Sequence, residues 1–258
     1  MVKALTDCIL RTPGWNLAHG LTTARSGVPD HALALAQHAK YARALERAGL
    51  RLTVLEPLLS FPDAYFVEDV AVITAEVAVI ARPGAAARRG EEAFIELVLA
   101  QHRSIARIVN PATLDGGDVL VAGRRILVGL TERTNPEGAQ QLREILSPLG
   151  YQVVALPVSA GLHLKSSVNL VGQDVLLVTR EFASHDALIG FRNIVVKEGD
   201  EYSANVLWVN DHILVPVGYP RTRSLLEPLG RQIVELDVSE MRKMDGGLTC
   251  LSLRLGDR

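Results

Sequence analysis

The feature of this sequence that most constrains its fold is a repeated unit of two short β-strands, a helical stretch and a third strand. Four stretches each contain two β-rich runs joined by a tight polar turn, and these runs alternate in polarity or are wholly apolar, as hairpin strands are. The four stretches are "YFVEDVAVITAEVAVIARPG", "DGGDVLVAGRRILVGLTERT", "SSVNLVGQDVLLVTREF" and "SANVLWVNDHILVPVGYP". After each comes a helical or mixed stretch and then a closing strand; the closing strands are "SIARIVN", "YQVVALPV", "RNIVVKE" and "RQIVELDV".

The beginning of the sequence contains a variant of the same unit. A strand, a helix and a second strand are predicted there, and the C-terminal run "LTCLSLRL" is predicted to supply the missing strand. The result is five modules of roughly forty to fifty residues, a period typical of arrays and propellers. Because one module cannot bury its own apolar face, we expect all five to close around one axis. The sequence therefore predicts a single domain over residues 1–258.

Composition and charge limit which partners the protein can bind and in which compartment we expect it. The chain has 27 basic and 29 acidic side chains and 48% hydrophobic residues, which favours a packed core and gives no polybasic surface for nucleic acid or anionic lipid. No apolar run approaches the roughly eighteen residues of a membrane helix. Cys8 and Cys250 lie far apart, and Asp7 interrupts the N-terminal apolar run. We therefore expect a soluble cytoplasmic protein with free thiols.

Acidic residues collect where predicted strands begin. Asp63, Glu68 and Asp69 lie in "FPDAYFVEDVAVI", and Asp115 and Asp118 bracket a Gly-Gly pair in "TLDGGDVLVAG". A solvated turn is the simpler interpretation, since Asp-Gly is a common turn dipeptide. The flanking residues are apolar, however, and buried carboxylates are costly without cationic partners. The alternative is a cluster of functional carboxylates.

Candidate cations and one histidine accompany these acids. Arg88 and Arg133 are candidates for binding a substrate carboxylate, because a guanidinium group presents a two-pronged fork to it. Arg89 is interpreted as surface charge, and His38, on a predicted helix, is expected at the surface. His163 precedes a strand in "AGLHLKSSVNL", in the position that acids occupy in the other modules. It is either a core histidine or a catalytic one.

Cys250 follows a Gly-Gly pair and is predicted to begin a strand in "MDGGLTCLSLRL". Small buried cysteines are often inert, so a packing role is the alternative to a reactive one. No histidine or cysteine pair has the spacing of a metal site, and there is no glycine-rich nucleotide loop. We therefore expect neither a metal nor a cofactor. Two further predictions are a capping box of Thr134 and Glu137 and a lid over residues 13–27.

Together, six motifs resemble those of the dimethylarginine dimethylaminohydrolases, members of the guanidine-modifying superfamily. The motifs are "FPDAYFVEDVAV", "ARPGAAARRGE", "TLDGGDVLVAG", "VGLTERTN", "GLHLKSS" and "MDGGLTCLS". The resemblance covers nearly the whole chain in the family's order. It implies the pentein fold, an α/β five-bladed ββαβ propeller around a central site.

The resemblance also implies roles for individual residues. Cys250 would be the nucleophile, His163 the general acid and base, and Asp115 the third catalytic group. The substrate contacts it implies are Asp69 and Glu68 for the guanidinium, Asp63 and the backbone carbonyls of Leu21 and Met244 for the α-ammonium, Arg88 and Arg133 for the α-carboxylate, and Asp245 lining the site.

The implied reaction is hydrolysis of Nω-methylated L-arginines to L-citrulline through a cysteine thiouronium. Carboxylates would hold the guanidinium, and the bound cation would favour the thiolate beside it. Another guanidine-modifying hydrolase, acting on arginine, agmatine or citrulline, is the alternative. A non-catalytic guanidinium-binding protein is a second one. A small-molecule partner is expected in every case, and the sequence does not distinguish a monomer from a homodimer.

Overall fold

In the computed structural model, which describes residues 4–159 and 161–256, the strands form five three-stranded sheets. In chain order the described strands are β1 (Leu5–Arg11), β2 (Arg51–Leu55), β3 (Ala71–Ile73), β4 (Val77–Ile80), β5 (Ser104–Arg107), β6 (Val119–Ala122), β7 (Arg125–Leu130), β8 (Gln152–Pro157), β9 (Val168–Gly172), β10 (Val175–Val178), β11 (Arg192–Val195), β12 (Leu207–Val209), β13 (His212–Pro216), β14 (Gln232–Leu236) and β15 (Leu253–Gly256). The described helices are α1 (His31–Arg47), α2 (Glu91–Leu99), α3 (Pro136–Leu146), α4 (Pro220–Leu226) and α5 (Ser239–Arg242).

Four sheets repeat one connection pattern. Their orders are β3-β4-β5, β6-β7-β8, β9-β10-β11 and β12-β13-β14. The first two strands of each sheet pair antiparallel as a hairpin, and the third lies parallel to the second. A parallel pair requires a crossover connection, which is a helix in three of these sheets and a pair of 3₁₀ turns before β11. The predicted modules are therefore present.

The remaining sheet joins the two ends of the chain. Its order is β15-β1-β2, in which Leu5 pairs with Gly256 and Ile9 pairs with Leu253 in antiparallel fashion. The strand "LRLG" at Leu253–Gly256 thus supplies the strand that the first module lacks, as predicted.

The hydrophobic core is divided into five clusters, each shared by two neighbouring sheets. Alternate side chains of a central strand point to opposite faces, so one strand contributes to two clusters. In β4, Val79 packs in a cluster with Val128 of β7, whereas the next residue, Ile80, packs with Ile9 of β1. This explains why the central strands are apolar on both faces.

One of the five clusters contains residues of helix α1 and joins the sheet of β12, β13 and β14 to the sheet of β1. Leu214 of β13 and Leu10 of β1 belong to this cluster, so the last sheet packs against the first. Helix α1 presents a buried stripe that includes Tyr41 and Leu45. His38 falls on the same stripe at helical spacing and is buried, so its predicted surface position is wrong. Burial lowers the pKa of His38 to about 4.

Helix α3 begins differently from the prediction. Asn135 is its N-cap, and the Asn135 side chain accepts a hydrogen bond from the backbone N–H of Gly138 at 2.8 Å. The predicted capping box of Thr134 and Glu137 is therefore wrong. The Thr134 hydroxyl instead donates to the buried carboxylate of Asp118 at 2.7 Å, a stronger acceptor than a neutral backbone group.

A short 3₁₀ turn precedes the first strand of each repeated hairpin, and another precedes β15. We call these five the central turns: Val67–Val70, Gly116–Asp118, Leu164–Ser166, Glu201–Ala204 and Thr249–Leu251. The first four central turns contact one another in succession, and the last contacts the first. Cys250 lies within such a turn, not at the strand start that the sequence predicted. In the part of the chain that the structure describes, every helix is too short or too polar to cross a membrane.

Candidate active site

A small pocket opens at the central turns. Every predicted site residue except Asp115 and Glu68 lines it. Three lining residues were not predicted, namely Phe66, Leu162 and Gly246. The structure therefore brings together residues from distant parts of the sequence, although their individual roles stay predictions.

Asp115 lies behind His163, away from the pocket. Asp115 is fully buried, and its Oδ2 atom is 3.1 Å from His163 Nε2. Its other oxygen accepts from the backbone N–H of Gly84 at 2.9 Å. Burial raises the pKa of Asp115, but the hydrogen bond with His163 and the charge on His163 outweigh it, so the net shift is downward. Asp115 therefore stays ionised and orients the imidazole ring.

The His163 ring is held in its protonated form. Burial lowers the pKa of His163, but the charge of Asp69, the hydrogen bond with Asp115 and the charge of Asp118 raise it to about 9. The Nδ1 atom of His163 lies 3.8 Å from Asp69 Oδ1. These charges favour the imidazolium form of His163 at neutral pH, a form that can donate a proton.

Glycine at position 117 permits this close approach. A Cβ atom there would lie 2.6 Å from His163 Nδ1 and 2.7 Å from Asp69 Oδ1. From the sequence, a simple turn was one of two interpretations of the Gly-Gly pair. Its second glycine instead makes room for the imidazole and the carboxylate.

Cys250 faces the pocket as a neutral thiol. Burial, followed by the charges of Asp69 and Glu68, raises the pKa of Cys250 to about 12. The Cys250 Sγ atom is 3.9 Å from the Thr249 hydroxyl. Cys8 has a pKa raised to about 12 by burial as well, but it is fully buried in the core and does not line the pocket.

Asp69 offers a carboxylate oxygen to the pocket. Its Oδ2 atom accepts a hydrogen bond from Arg88 at 2.5 Å. Its Oδ1 atom is buried and has no hydrogen-bond partner within residues 4–159 and 161–256. A buried acceptor without a partner is costly, so a guanidinium N–H bound there would satisfy it.

The two candidate arginines differ in how many hydrogen-bond acceptors their guanidinium groups already contact. Arg88 is buried and donates to the carboxylates of Asp69 and Glu91 and to two backbone carbonyls. The guanidinium of Arg133 lines the pocket and has no hydrogen bond or ion pair in the described part of the chain. Arg133 is therefore the arginine more available to an incoming carboxylate, while Arg88 supports Asp69.

The position of Glu68 differs from the prediction. Its Oε1 atom accepts hydrogen bonds from Lys165 at 2.8 Å and from Arg254 at 2.6 Å. Burial raises the pKa of Glu68, but the two cations lower it further, so the carboxylate is ionised. Glu68 does not line the pocket, and its predicted contact with the guanidinium is not supported. The sequence analysis overlooked Lys165 and Arg254.

The segment predicted as a lid contributes Leu21 to the lining of the pocket. Asp63, whose pKa is raised by burial, accepts from the backbone N–H of Leu21 at 3.0 Å. Asp245 accepts from the backbone N–H of Thr23 at 2.5 Å. Both carboxylates therefore hold the backbone of Leu21 and Thr23 beside the pocket. Movement of this segment stays a prediction.

Asn205 lies beside a central turn that carries no predicted site residue, and the sequence analysis overlooked it. It follows the central turn Glu201–Ala204, as Asp115 and His163 stand beside theirs. Its Nδ2 atom donates to the Lys165 carbonyl at 2.9 Å and to the Thr249 hydroxyl at 3.1 Å. The signal in the sequence was a polar residue directly before the apolar run "VLWV".

Three of these residues also have the spacing of a cation site. Asp69, Asp115 and His163 place one ligand atom each within 4.8 Å of one another. A histidine ligand must be neutral to bind a metal, whereas the charges around His163 raise its pKa to about 9. The residues therefore fit an acid better than a metal ligand, and the expectation of no metal stays a prediction.

Comparison with known proteins identifies the family. A family model described as arginine deiminase matches residues 23–195. An N(G),N(G)-dimethylarginine dimethylaminohydrolase from Pseudomonas aeruginosa is 41% identical over 248 residues, which cover 95% of this chain and 98% of that protein. The chain belongs to the dimethylarginine dimethylaminohydrolase family. A second family member, from Streptomyces coelicolor, is 41% identical over 251 residues and 96% of each chain.

Solved structures agree with this family assignment. The chain superposes with a TM-score of 0.96 on a Pseudomonas aeruginosa dimethylarginine dimethylaminohydrolase, a cysteine-to-serine mutant in complex with citrulline. The two are 39% identical, and the match covers 98% of this chain and 100% of the other. The N-terminal domain of a cyanobacterial arginine dihydrolase, 19% identical with a TM-score of 0.87, shares the fold. The family resemblance and the predicted α/β five-bladed propeller are thereby confirmed.

Proposed function

We propose that this protein hydrolyses Nω,Nω-dimethyl-L-arginine and Nω-methyl-L-arginine to L-citrulline, releasing dimethylamine or methylamine. The observation that carries the proposal is the pocket itself. It combines the Cys250 thiol, a protonated His163 and the unpartnered oxygen of Asp69. A nucleophile, an acid and an acceptor for a cation are the groups this reaction needs. The family membership supports the same conclusion.

The substrate binds with its charges matched to the pocket. Its guanidinium lies against Asp69, and its α-ammonium lies near Asp63 and the carbonyl oxygens of Leu21 and Met244. Its α-carboxylate meets Arg133, whose guanidinium is unoccupied in the described part of the chain. The positive end of the ligand therefore points toward the buried carboxylates.

In the first step the bound cation favours ionisation of the Cys250 thiol, which releases its proton to solvent. The thiolate attacks the guanidinium carbon and forms a C–S bond. His163 gives its proton to the departing amine nitrogen as the C–N bond breaks, leaving a thiouronium on Cys250. Asp115 keeps the imidazole oriented throughout.

In the second step neutral His163 takes a proton from water while the water oxygen attacks the thiouronium carbon. The C–S bond breaks and returns the electron pair to the Cys250 sulfur. The new C–O bond becomes the ureido carbonyl of citrulline as its hydroxyl proton passes to the Cys250 thiolate, which restores the thiol, and His163 is again protonated. One residue thus serves as acid and then as base.

Citrulline release tests the proposal directly. Dimethylarginine, monomethylarginine, arginine and agmatine are compared with the purified protein, and we expect the two methylated substrates to be turned over fastest. Faster release from plain arginine would keep the chemistry but assign the protein to an arginine hydrolase, a candidate favoured by the match to the arginine deiminase model. Turnover of none of the four by the folded protein would support a binding protein instead.

Replacing Arg133 by methionine is expected to raise KM for dimethylarginine by roughly 10- to 100-fold, since a hydrogen bond to a charged group is worth about 1.5–3 kcal/mol. The KM for a substrate without an α-carboxylate should hardly change. Steady-state kinetics on both substrates measure the difference. Arg89→Met is the matched control, because Arg89 is an exposed arginine that does not line the pocket. Equal effects on both substrates would contradict the assignment.

The ionisation of Cys250 should depend on the bound ligand. With the pKa of the thiol raised to about 12 by burial, the thiolate fraction of the free enzyme should increase about tenfold per pH unit from pH 7 to pH 10. A bound guanidinium ligand should bring the thiolate to lower pH, and neutral citrulline should not. The difference in ultraviolet thiolate absorbance between wild type and Cys250→Ser measures this. A plateau near pH 8.5 in the free enzyme would refute the expectation.

The proposal also includes the compartment, the number of domains and the oligomeric state of the protein. Free thiols at Cys8 and Cys250 support a reducing compartment such as the cytoplasm. The core clusters shared by neighbouring sheets support one domain over residues 1–258. This domain is expected as a monomer or a homodimer. Limited proteolysis and light scattering test these points, and two separately folded fragments would overturn the single domain.

A further inference from the structure

Beneath the pocket lies a buried group of charges that the proposed reaction does not use. Glu68, Lys165 and Arg254, which we call the charged cluster, share one carboxylate oxygen. The Lys165 ammonium lies 2.8 Å from Glu68 Oε1, and the Arg254 guanidinium lies 2.6 Å from the same atom. Glu68 is 2% exposed and Lys165 is 9% exposed. None of the three lines the pocket.

Each member belongs to a segment that carries a predicted site residue. Glu68 directly precedes Asp69 in the first central turn. Lys165 lies two residues after His163, and its ammonium also donates to the carbonyl of the residue after Asp115 at 3.0 Å. Lys165 therefore connects three site segments through a single amine.

Arg254 adds the segment of the nucleophile. Its Nη1 atom donates to the carbonyl oxygen of Thr249 at 3.0 Å and to that of Ser252 at 2.6 Å. These two residues flank Cys250. The Arg254 guanidinium thus holds the backbone on both sides of the thiol while its other nitrogen binds Glu68.

We propose that the charged cluster is a positioning unit, which holds the Asp69, Asp115, His163 and Cys250 segments in register for catalysis. This inference rests on the proposed function. Glu68 is the shared acceptor of the unit and does not bind substrate. The cluster acts through the four segments, so its loss should reduce kcat with little change in KM.

The charges of the cluster provide a readout that a purely structural role would not change, namely the pH at which Cys250 forms its thiolate. The negative charge of Glu68 raises the pKa of Cys250. The Lys165 ammonium is paired with Glu68, and its opposite charge is expected to act in the opposite direction. Removing the cation should therefore disfavour the thiolate, whereas removing the acid should favour it. A general loosening of the structure would not shift the two variants in opposite directions.

The experiment compares Lys165→Met and Glu68→Gln with Arg103→Met as the matched control. Arg103 is also buried and donates to the backbone carbonyls of Thr74 at 3.2 Å, of His102 at 2.9 Å and of Gly256 at the far end of β15, all outside the central turns. Citrulline release gives kcat and KM. Alkylation of Cys250 in the free enzyme, followed by mass spectrometry from pH 7 to pH 10, gives the thiolate profile.

We expect kcat to fall by about 10- to 100-fold in both cluster variants, since small misplacements of reacting groups have effects of this size, with KM within about threefold. The alkylation profile should move to higher pH in Lys165→Met and to lower pH in Glu68→Gln. Lys165→Arg, which keeps the charge, should retain the wild-type profile. Arg103→Met should match wild type in both measurements.

Shifts in the same direction for both cluster variants, or a kcat equal to that of the control, would overturn the proposal. A rise in KM alone for Glu68→Gln would make Glu68 a substrate ligand. If Lys165→Met does not fold, the double variant Glu68→Gln/Lys165→Met removes one charge of each sign, so the net charge of the cluster is unchanged and Arg254 keeps its backbone acceptors. This variant should lose kcat with a nearly unchanged profile. An inactive wild-type protein would reject the proposed function, while the alkylation profiles would still test the cluster.

Discussion

Cys250→Ala is expected to lose citrulline release by a factor on the order of 10⁴ or more while still binding dimethylarginine, because removal of a nucleophile eliminates the covalent route. The carboxylates around the pocket remain in this variant, so the affinity for the substrate cation should be retained. Citrulline formation and calorimetric titration of the same preparation measure the two quantities.

The chain contains a matched control for this substitution. Cys8 is fully buried among core residues and lies outside the pocket. Cys8→Ala should retain turnover near the wild-type level, with a modest loss of stability from the lost packing. Equal loss of activity in Cys8→Ala and Cys250→Ala would show that stability, and not nucleophilic attack, accounts for the result.

His163→Ala is expected to reduce turnover of dimethylarginine by about 10²- to 10⁴-fold, the usual contribution of a general acid or base. A substrate whose leaving group needs no proton should still react with Cys250. S-methyl-L-thiocitrulline is such a compound, because it loses methanethiolate and leaves the same thiouronium. Without a base for the second step, we expect this adduct to accumulate and to be visible by intact mass.

A related observation exists in the family. A solved dimethylarginine dimethylaminohydrolase with a histidine-to-glycine substitution is an adduct with S-methyl-L-thiocitrulline, and it is 40% identical to this chain. His38→Ala is the control here, since His38 is also buried but lies in α1. Full turnover in His163→Ala, or no adduct in a folded variant, would rule out the assigned role.

The fold was predictable because its signal is local and repeated. Hairpins such as β3–β4 and β12–β13 follow from alternating or apolar runs around short polar turns, and the structure pairs them as expected. The pairing of Leu5 with Gly256 was predictable only from the strand that the first module lacked. Five units that need a neighbour on each side favour a closed ring.

The orientation of neighbouring acids was not predictable. Glu68 and Asp69 are adjacent before the same strand, and both carboxylates were expected at the guanidinium. They lie in a 3₁₀ turn, where three residues make one turn and successive side chains point about 120° apart. Asp69 therefore faces the pocket and Glu68 faces Lys165. The sequence pattern does not predict the directions in which these two side chains point.

Other differences also arise from tertiary contacts. The Thr134 hydroxyl binds the buried Asp118, so the neighbouring Asn135 caps the helix. His38 is polar by composition, but its place on the helical stripe decides its burial. Lys165 was overlooked because a lysine near a strand usually lies in solvent. Only the packing of three separate turns shows that its partner is buried.

The pairing of β15 with β1 has a consequence for how activity arises during synthesis. Strand β15, which completes the sheet of β1 and β2, begins three residues after Cys250, and its partner β1 is synthesised well before it. A nascent chain that has released the four repeated hairpins still lacks both the nucleophile and the closing strand. We therefore expect the proposed activity to arise only when β15 has paired with β1, so that a chain interrupted before Cys250 is inert.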